Sequence, residues 1–359
     1  VTVIVVDAHE DIAYNALLFN RDYRRPVLKT RDLEAGSATL ARNGIATLGL
    51  PDALLGRVAV VFSTLFVAPR TGKTEVWDTL TYRDPREAYQ RALQQMDYYQ
   101  RMADTDDSIR LIRTVADLDA VLGTWADGQE TGQHKQGMVI LMEGADPILA
   151  PKQFEEWYER GVRIVGPAWS ATRYAGGTGA PGRVTPLGYE LLDILQGFHV
   201  ILDVSHLAEE SFWEALDRYE GAIIASHSNP RRFRDSDRHL SDEMIRRLAE
   251  RDGVMGIVLY NRFLDPRWSR GDRKSNVSLA RVIDAVDHVC QLTGSAAHVG
   301  IGSDFDGGFG AESIPDGLDT VGDLWAIGEA LRERGYGEDE VAAILGGNML
   351  RKLRRGLTK

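Results

Sequence analysis

The segment from His199 to Asn229 limits the fold of this chain more than any other. It reads HVILDVSH, then a helix-like stretch, then AIIASHSN. Each apolar run ends in a Ser-His pair, Ser205-His206 and Ser226-His227. Val200–Val204 and Ala222–Ala225 have the composition of parallel strands buried on both faces. Leu207–Tyr219 between them carries Leu207, Phe212, Ala215 and Leu216 at helical spacing. The segment is therefore a β-α-β unit, and neighbouring strands would bring both imidazoles to one edge of the sheet. Two histidines converging there suggest a metal site. The alternative is a pair of core histidines bonded to backbone.

The same alternation runs through the whole chain. Strands are expected at Val1–Val6, Val58–Val67, Gly137–Met142 and Val162–Val165 before the opening pair, and at Val254–Tyr260 and His298–Ile301 after it. Helices are expected at Pro85–Met102, Val115–Thr124, Pro151–Arg160, Pro186–Gln196, Ser241–Arg251, Ser278–Leu292, Val321–Arg334 and Glu338–Leu345, followed by a basic C-terminal helix. Residues 20–56 read as irregular, with short helices near Leu33 and Ala38, and the glycine-rich stretch 171–186 reads as a long functional loop. Eight strands alternating with helices predict a closed (β/α)8 TIM barrel in preference to an open doubly wound sheet. No composition shift or internal repeat divides residues 1–359, so one barrel domain is expected.

Barrel enzymes assemble their sites from strand C-termini. His9 and Asp11 end the first expected strand, Glu143 the third, His206 the fifth, His227 the sixth and Asp304 the eighth. Three of the chain's eight histidines are among these six side chains. Three imidazoles with three carboxylates suit zinc, with manganese, iron or cobalt as other occupants. Six donors exceed one tetrahedral ion, so two ions sharing a bridge are expected. A carboxylate has two oxygens and can bridge; an imidazole normally cannot. There is no G-x-S-x-G elbow, HExxH or P-loop sequence to support another chemistry.

These segments carry a resemblance. DAHED at 7–11, MEGAD at 142–146, DVSH at 203–206, SHSNPR at 226–231, RHLSD at 238–242, GSDFDG at 302–307 and GGNML at 346–350 resemble, in order, the motifs of the membrane dipeptidase family of binuclear zinc hydrolases. The resemblance implies a dipeptidase of the amidohydrolase-like barrels that uses a metal-bridged hydroxide, with activity extending to dipeptides with a C-terminal D-residue. His9, Asp11 and Glu143 would hold one zinc, and Glu143, His206 and His227 the other. Asp304 would orient the nucleophile and carry a proton, and Arg238 would bind the substrate carboxylate. Many family members have a histidine at the end of the fourth strand, where this chain has Trp169. An indole can donate a hydrogen bond but cannot become cationic, so Trp169 is either a specificity change or a cleft wall. Tyr260, ending the seventh strand, is a candidate substrate contact. Glu10 is expected to point away from the metals, and His239 could line the site. Other readings are an amidohydrolase acting on N-acyl amino acids, cyclic amides or lactones, or a metal-binding protein without catalysis.

Partners follow from charge. Forty-two basic and 53 acidic residues leave a net charge of −11 with no basic tract, so nucleic acid is not expected. No apolar run approaches the ~20 residues of a membrane span. VTVIVVDAH reads as a strand and not as a signal peptide. The single cysteine, Cys290, excludes an intrachain disulfide, and a cytoplasmic soluble protein is the expectation. The basic residues of 351–355 read as a solvated helix face or an oligomer contact, which leaves a homodimer open.

Overall fold

Uninterrupted apolar runs become strands here because both of their faces are covered. The computed structural model describes residues 3–358 apart from 73, 127, 129 and 130. Its strands are β1 (Val5–Glu10), β2 (Val58–Phe66), β3 (Ile109–Leu111), β4 (Gln136–Glu143), β5 (Val162–Gly166), β6 (Ile201–Asp203), β7 (Ile223–Ala225), β8 (Val254–Ile257) and β9 (Val299–Ile301). Eight of them close a parallel barrel in the order β1-β2-β4-β5-β6-β7-β8-β9, with β9 pairing back onto β1. Helices surround it, as a (β/α)8 barrel requires. β3 was not expected; it pairs outside the ring with the start of β4.

Other departures have local causes. Val1 and Thr2, the start of the expected first strand, lie outside the described residues. The strand begins at Val5, whose N–H donates to the Arg57 carbonyl, and continues through Glu10. The expected strand 254–260 stops at Ile257, because the Asn229 amide takes over both backbone groups of Val258. Tyr260 therefore precedes a short helix, Asn261–Leu264. Residues 20–56 hold three helices, Val27–Glu34, Ala38–Asn43 and Leu50–Leu55, the last of which was not expected. Ser241 caps helix Asp242–Glu250 as read, its hydroxyl accepting from Met244 N–H.

Val6, Val60, Val139, Ile164, Ile201 and Val254 fill the barrel, and helix Asn348–Gly356 closes its N-terminal end with Met349 and Leu353. Arg354 and Arg355 on that helix are exposed, as a solvated face requires, and Lys352 is buried. Arg351, Lys352 and Arg355 all engage Asp252, and Arg354 engages Asp119. Leu353 is fully buried in this plug. Leu353→Ala is expected to cost about 2–5 kcal/mol, read as a lower midpoint in urea unfolding. Among the described residues no helix is long and apolar enough to cross a membrane.

Candidate active site

The six side chains singled out above meet at the C-terminal mouth of the barrel. His9 lies in β1 and Asp11 just after it; Glu143 is the last residue of β4. His206, His227 and Asp304 lie in the short segments leaving β6, β7 and β9. Glu143 Oε1 is 3.2 Å from His206 Nε2 and 3.3 Å from His227 Nε2, while its Oε2 is 3.6 Å from His9 Nε2. His9 Nε2 is also 3.8 Å from Asp11 Oδ1 and 3.9 Å from Asp304 Oδ1. The two carboxylate oxygens of Glu143 thus face two different donor sets.

Local structure aims these groups. Three steps of β1 from Asp7 to Glu10 match two steps of β2 from Val61 to Ser63, a bulge beside His9 that re-aims the strand end. His206, Asp304 and Asp306 adopt left-handed backbone at φ 64°, 59° and 60°. Such conformations cost on the order of 1–3 kcal/mol each and persist where the surroundings impose them. Asp306 is held by Arg21 at 3.1 Å and by Thr47, whose N–H and hydroxyl both donate to it. Gly307 is required beside it, since a Cβ there would collide with Asp304 Oδ1.

The ring nitrogens are set by partners that sequence reasoning missed. Ser226 donates to Asp203 Oδ2 (2.6 Å), so its oxygen is free to accept from His227 Nδ1–H at 2.8 Å. That leaves a lone pair on His227 Nε2, aimed at the cluster. Thr178, from the glycine-rich loop, is hydrogen-bonded with His206 Nδ1 at 2.9 Å, and Thr64 donates to Asp11. Asp203 and Ser226 stood inside the DVSH and SHSN motifs, and nothing local distinguished Thr64 or Thr178. His9 has no partner on Nδ1 among the described residues and is held by stacking on His227, centroids 3.5 Å apart.

The residues fit a metal. Burial lowers the pKa values of His9, His206 and His227, which keeps the imidazoles neutral as ligands must be. Burial, then repulsion from Asp11 and Asp304, raises that of Glu143; burial, then Asp11, raises that of Asp304; and burial pushes Asp11 up to about 6. Acceptor oxygens and imidazole lone pairs packed this closely repel one another unless a cation sits among them. Donors about 2.0–2.1 Å from one tetrahedral ion stand roughly 3.3–3.4 Å apart. Glu143 Oε1 stands 3.2 and 3.3 Å from the Nε2 atoms of His206 and His227, near that spacing, and the two nitrogens are closer, 3.0 Å apart.

Around the cluster opens a cleft of about 590 Å³. Arg238 reaches it from the β7 side, buried, donating to the His227 carbonyl (2.7 Å) and Ser228 Oγ (3.2 Å). Trp169 and Tyr260 line the cleft as well. Trp169 and Phe66 pack edge to face with centroids 5.2 Å apart, and Trp169 is tilted against His206 at 6.0 Å. Tyr260 stacks on Phe309 at 4.4 Å. His239 is not in the lining; it is buried against Phe263. Glu10 is buried beside Asp7 and Tyr23 and joins none of the cluster contacts.

Fold and site together define a TIM-barrel metallohydrolase. The sequence model of the membrane dipeptidase family (peptidase family M19) matches residues 1–356, and the chain belongs to that family of metallo-dipeptidases, hydrolases acting on peptide bonds. Among similar proteins, "Dipeptidase 3" of Rattus norvegicus is 28% identical over 280 residues, 75% of this chain and 53% of the rat protein. A Klebsiella pneumoniae protein described only as lying in the pqqA 5' region is 30% identical over 227 residues, 60% of this chain and 81% of that one. The chain thus spans about half of the rat relative. The crystal structure of a family M19 metallopeptidase, dipeptidase AC, superposes with a TM-score of 0.78 at 24% identity over 100% of both chains. A Rhodobacter sphaeroides metallopeptidase bound to a phosphinate mimic of L-Ala-D-Ala gives 0.76 at 23% identity, over 99% of this chain and 100% of that one. At these identities the structural likeness establishes the fold.

Proposed function

We propose that the protein is a zinc dipeptidase with a two-ion centre, cleaving small dipeptides and accepting a D-residue at the C-terminal position. The observation that carries this reading is the division of Glu143, one oxygen toward His206 and His227 and the other toward His9. His9, Asp11 and Glu143 would hold one ion, and Glu143, His206 and His227 the other. Ions held there would supply Lewis acidity toward a water and the scissile carbonyl. Asp304, beside His9 and held by its clamped loop, accepts a proton and delivers it to the departing amine. Arg238 pairs with the substrate's C-terminal carboxylate through its planar fork. Trp169 and Tyr260 wall the substrate and exclude water. The Rhodobacter sphaeroides protein's ligand motivates the D-residue arm of the proposal.

The test is a dipeptide panel with L and D residues at each position, on zinc-loaded protein with and without chelator. Hydrolysis that chelator abolishes is expected. Arg238→Ala should lower kcat/KM on dipeptides by roughly ten- to a hundred-fold, the worth of a charge-assisted contact of about 1.5–3 kcal/mol. Dipeptide amides should be poor substrates for the wild type and nearly indifferent to the substitution. If the wild type prefers amides or neutral cyclic substrates, the broader amidohydrolase reading replaces this one. Trp169, where many family members have histidine, is the residue that favours that reading.

A further inference from the structure

Outside the cluster, the charged side chains lining the cleft are four arginines, Arg42, Arg234, Arg238 and Arg262, and one carboxylate, Asp78. The chain carries a net charge of −11, so this cationic surplus is local. Arg42 lies over the Trp77 indole, 5.1 Å from its centroid. Arg238 is the buried group already assigned to the main-chain carboxylate. Arg234 and Arg262 are left without a role. Among the described residues neither pairs with a carboxylate; Arg234 Nη1 only reaches the Arg262 carbonyl, at 3.5 Å.

Topology places these two charges together. Arg234 follows β7 and Arg262 follows β8, strands that are neighbours in the barrel, so both stand on the flank that carries Arg238. Asp78 follows β2, four strands from β7 in either direction around the ring. The cleft is therefore cationic on one side, with its one carboxylate outside the cluster on the opposite side.

We propose that Arg234 and Arg262 form an anion subsite for the side chain of the substrate's C-terminal residue, so that the preferred substrates are dipeptides ending in aspartate or glutamate. This rests on the dipeptidase reading and adds the substrate class. With Arg238 on the main-chain carboxylate, the C-terminal residue lies on the β7–β8 flank, and its side chain starts from the same Cα. A carboxylate there pairs with guanidiniums that have no carboxylate partner among the described residues and offsets one of their two charges. A neutral side chain leaves them unpaired, and a cationic one is repelled. Arg234 is half-buried and Arg262 exposed, so Arg234 contributes more.

The test compares Ala-Asp, Ala-Asn, Ala-Ala and Ala-Lys, with L and D C-terminal residues, on the metal-loaded protein. Calorimetry of the matching non-hydrolysable phosphinate mimics gives a binding readout independent of turnover. Asp should exceed its isostere Asn in kcat/KM by roughly ten-fold or more, with the same order in phosphinate affinity. That ratio should shrink as salt rises. It should approach one in Arg234→Ala/Arg262→Ala and shift toward Lys in Arg234→Glu. Equal use of Asp and Asn by the wild type would overturn the subsite while leaving the dipeptidase reading intact. So would a double variant that keeps the full preference for Asp. Absence of hydrolysis on every dipeptide would overturn both.

Discussion

Asp304→Asn is expected to keep its metal and lose turnover. A general acid–base group typically contributes ~10² to 10⁴ in rate, and an amide cannot carry the proton. The change is close to isosteric, and the loop that presents residue 304 is held from elsewhere, by Arg21 and Thr47 on Asp306. Metal content and melting temperature should therefore stay near wild type while kcat falls by two to four orders of magnitude. A kcat near wild type would remove Asp304 from the proton path. A parallel loss of metal would instead make it a ligand, which its 3.9 Å approach to His9 Nε2 keeps testable.

Glu143→Gln is expected to weaken both ions at once. The wild type, supplied with zinc and desalted, should hold close to two ions per chain; one or fewer would contradict the two-ion centre. An amide keeps one acceptor oxygen and presents N–H donors where the second lone pair was. Either orientation of the new amide would place its nitrogen against one donor set, the His206–His227 pair or His9. Outer-shell changes already cost about 10–100-fold in metal affinity, and loss of the bridge should exceed that. Because bound metal stabilises the folded chain in proportion to RT ln(1 + [L]/Kd), the zinc-dependent rise in Tm should shrink in the same variant. One ion held at full affinity with normal activity would show that Glu143 serves a single site.

Much of the barrel was legible because its strands are buried on both faces and interrupted by amphipathic helices. Runs such as VAVVFSTLF and GMVILM have few other places to go. Boundaries were less legible, since they depend on partners distant in the chain. Tyr260 leaves the sheet because Asn229, 29 residues before Val258, caps the strand. β3 exists because the start of β4 offers an edge outside the ring. The ion pairs that Arg351, Arg354 and Arg355 make were not legible because their partners, Asp252 and Asp119, are remote in sequence.

Residue types and their spacing determined, without a structure, that six metal-compatible side chains fall at strand ends, that a parallel barrel gathers such ends at one rim, and that Arg238 follows the sixth of those strands. Those facts need only a period, a connection rule and a donor inventory. Tertiary structure alone decided which oxygen of Glu143 faces which imidazole, and that Ser226 and Asp203 direct the lone pair of His227. It also decided that Thr178 reaches His206, and that His206 and Asp304 are held in left-handed backbone. These are contacts between segments far apart in the chain, set by how the closed sheet and its loops pack, and no local preference encodes them.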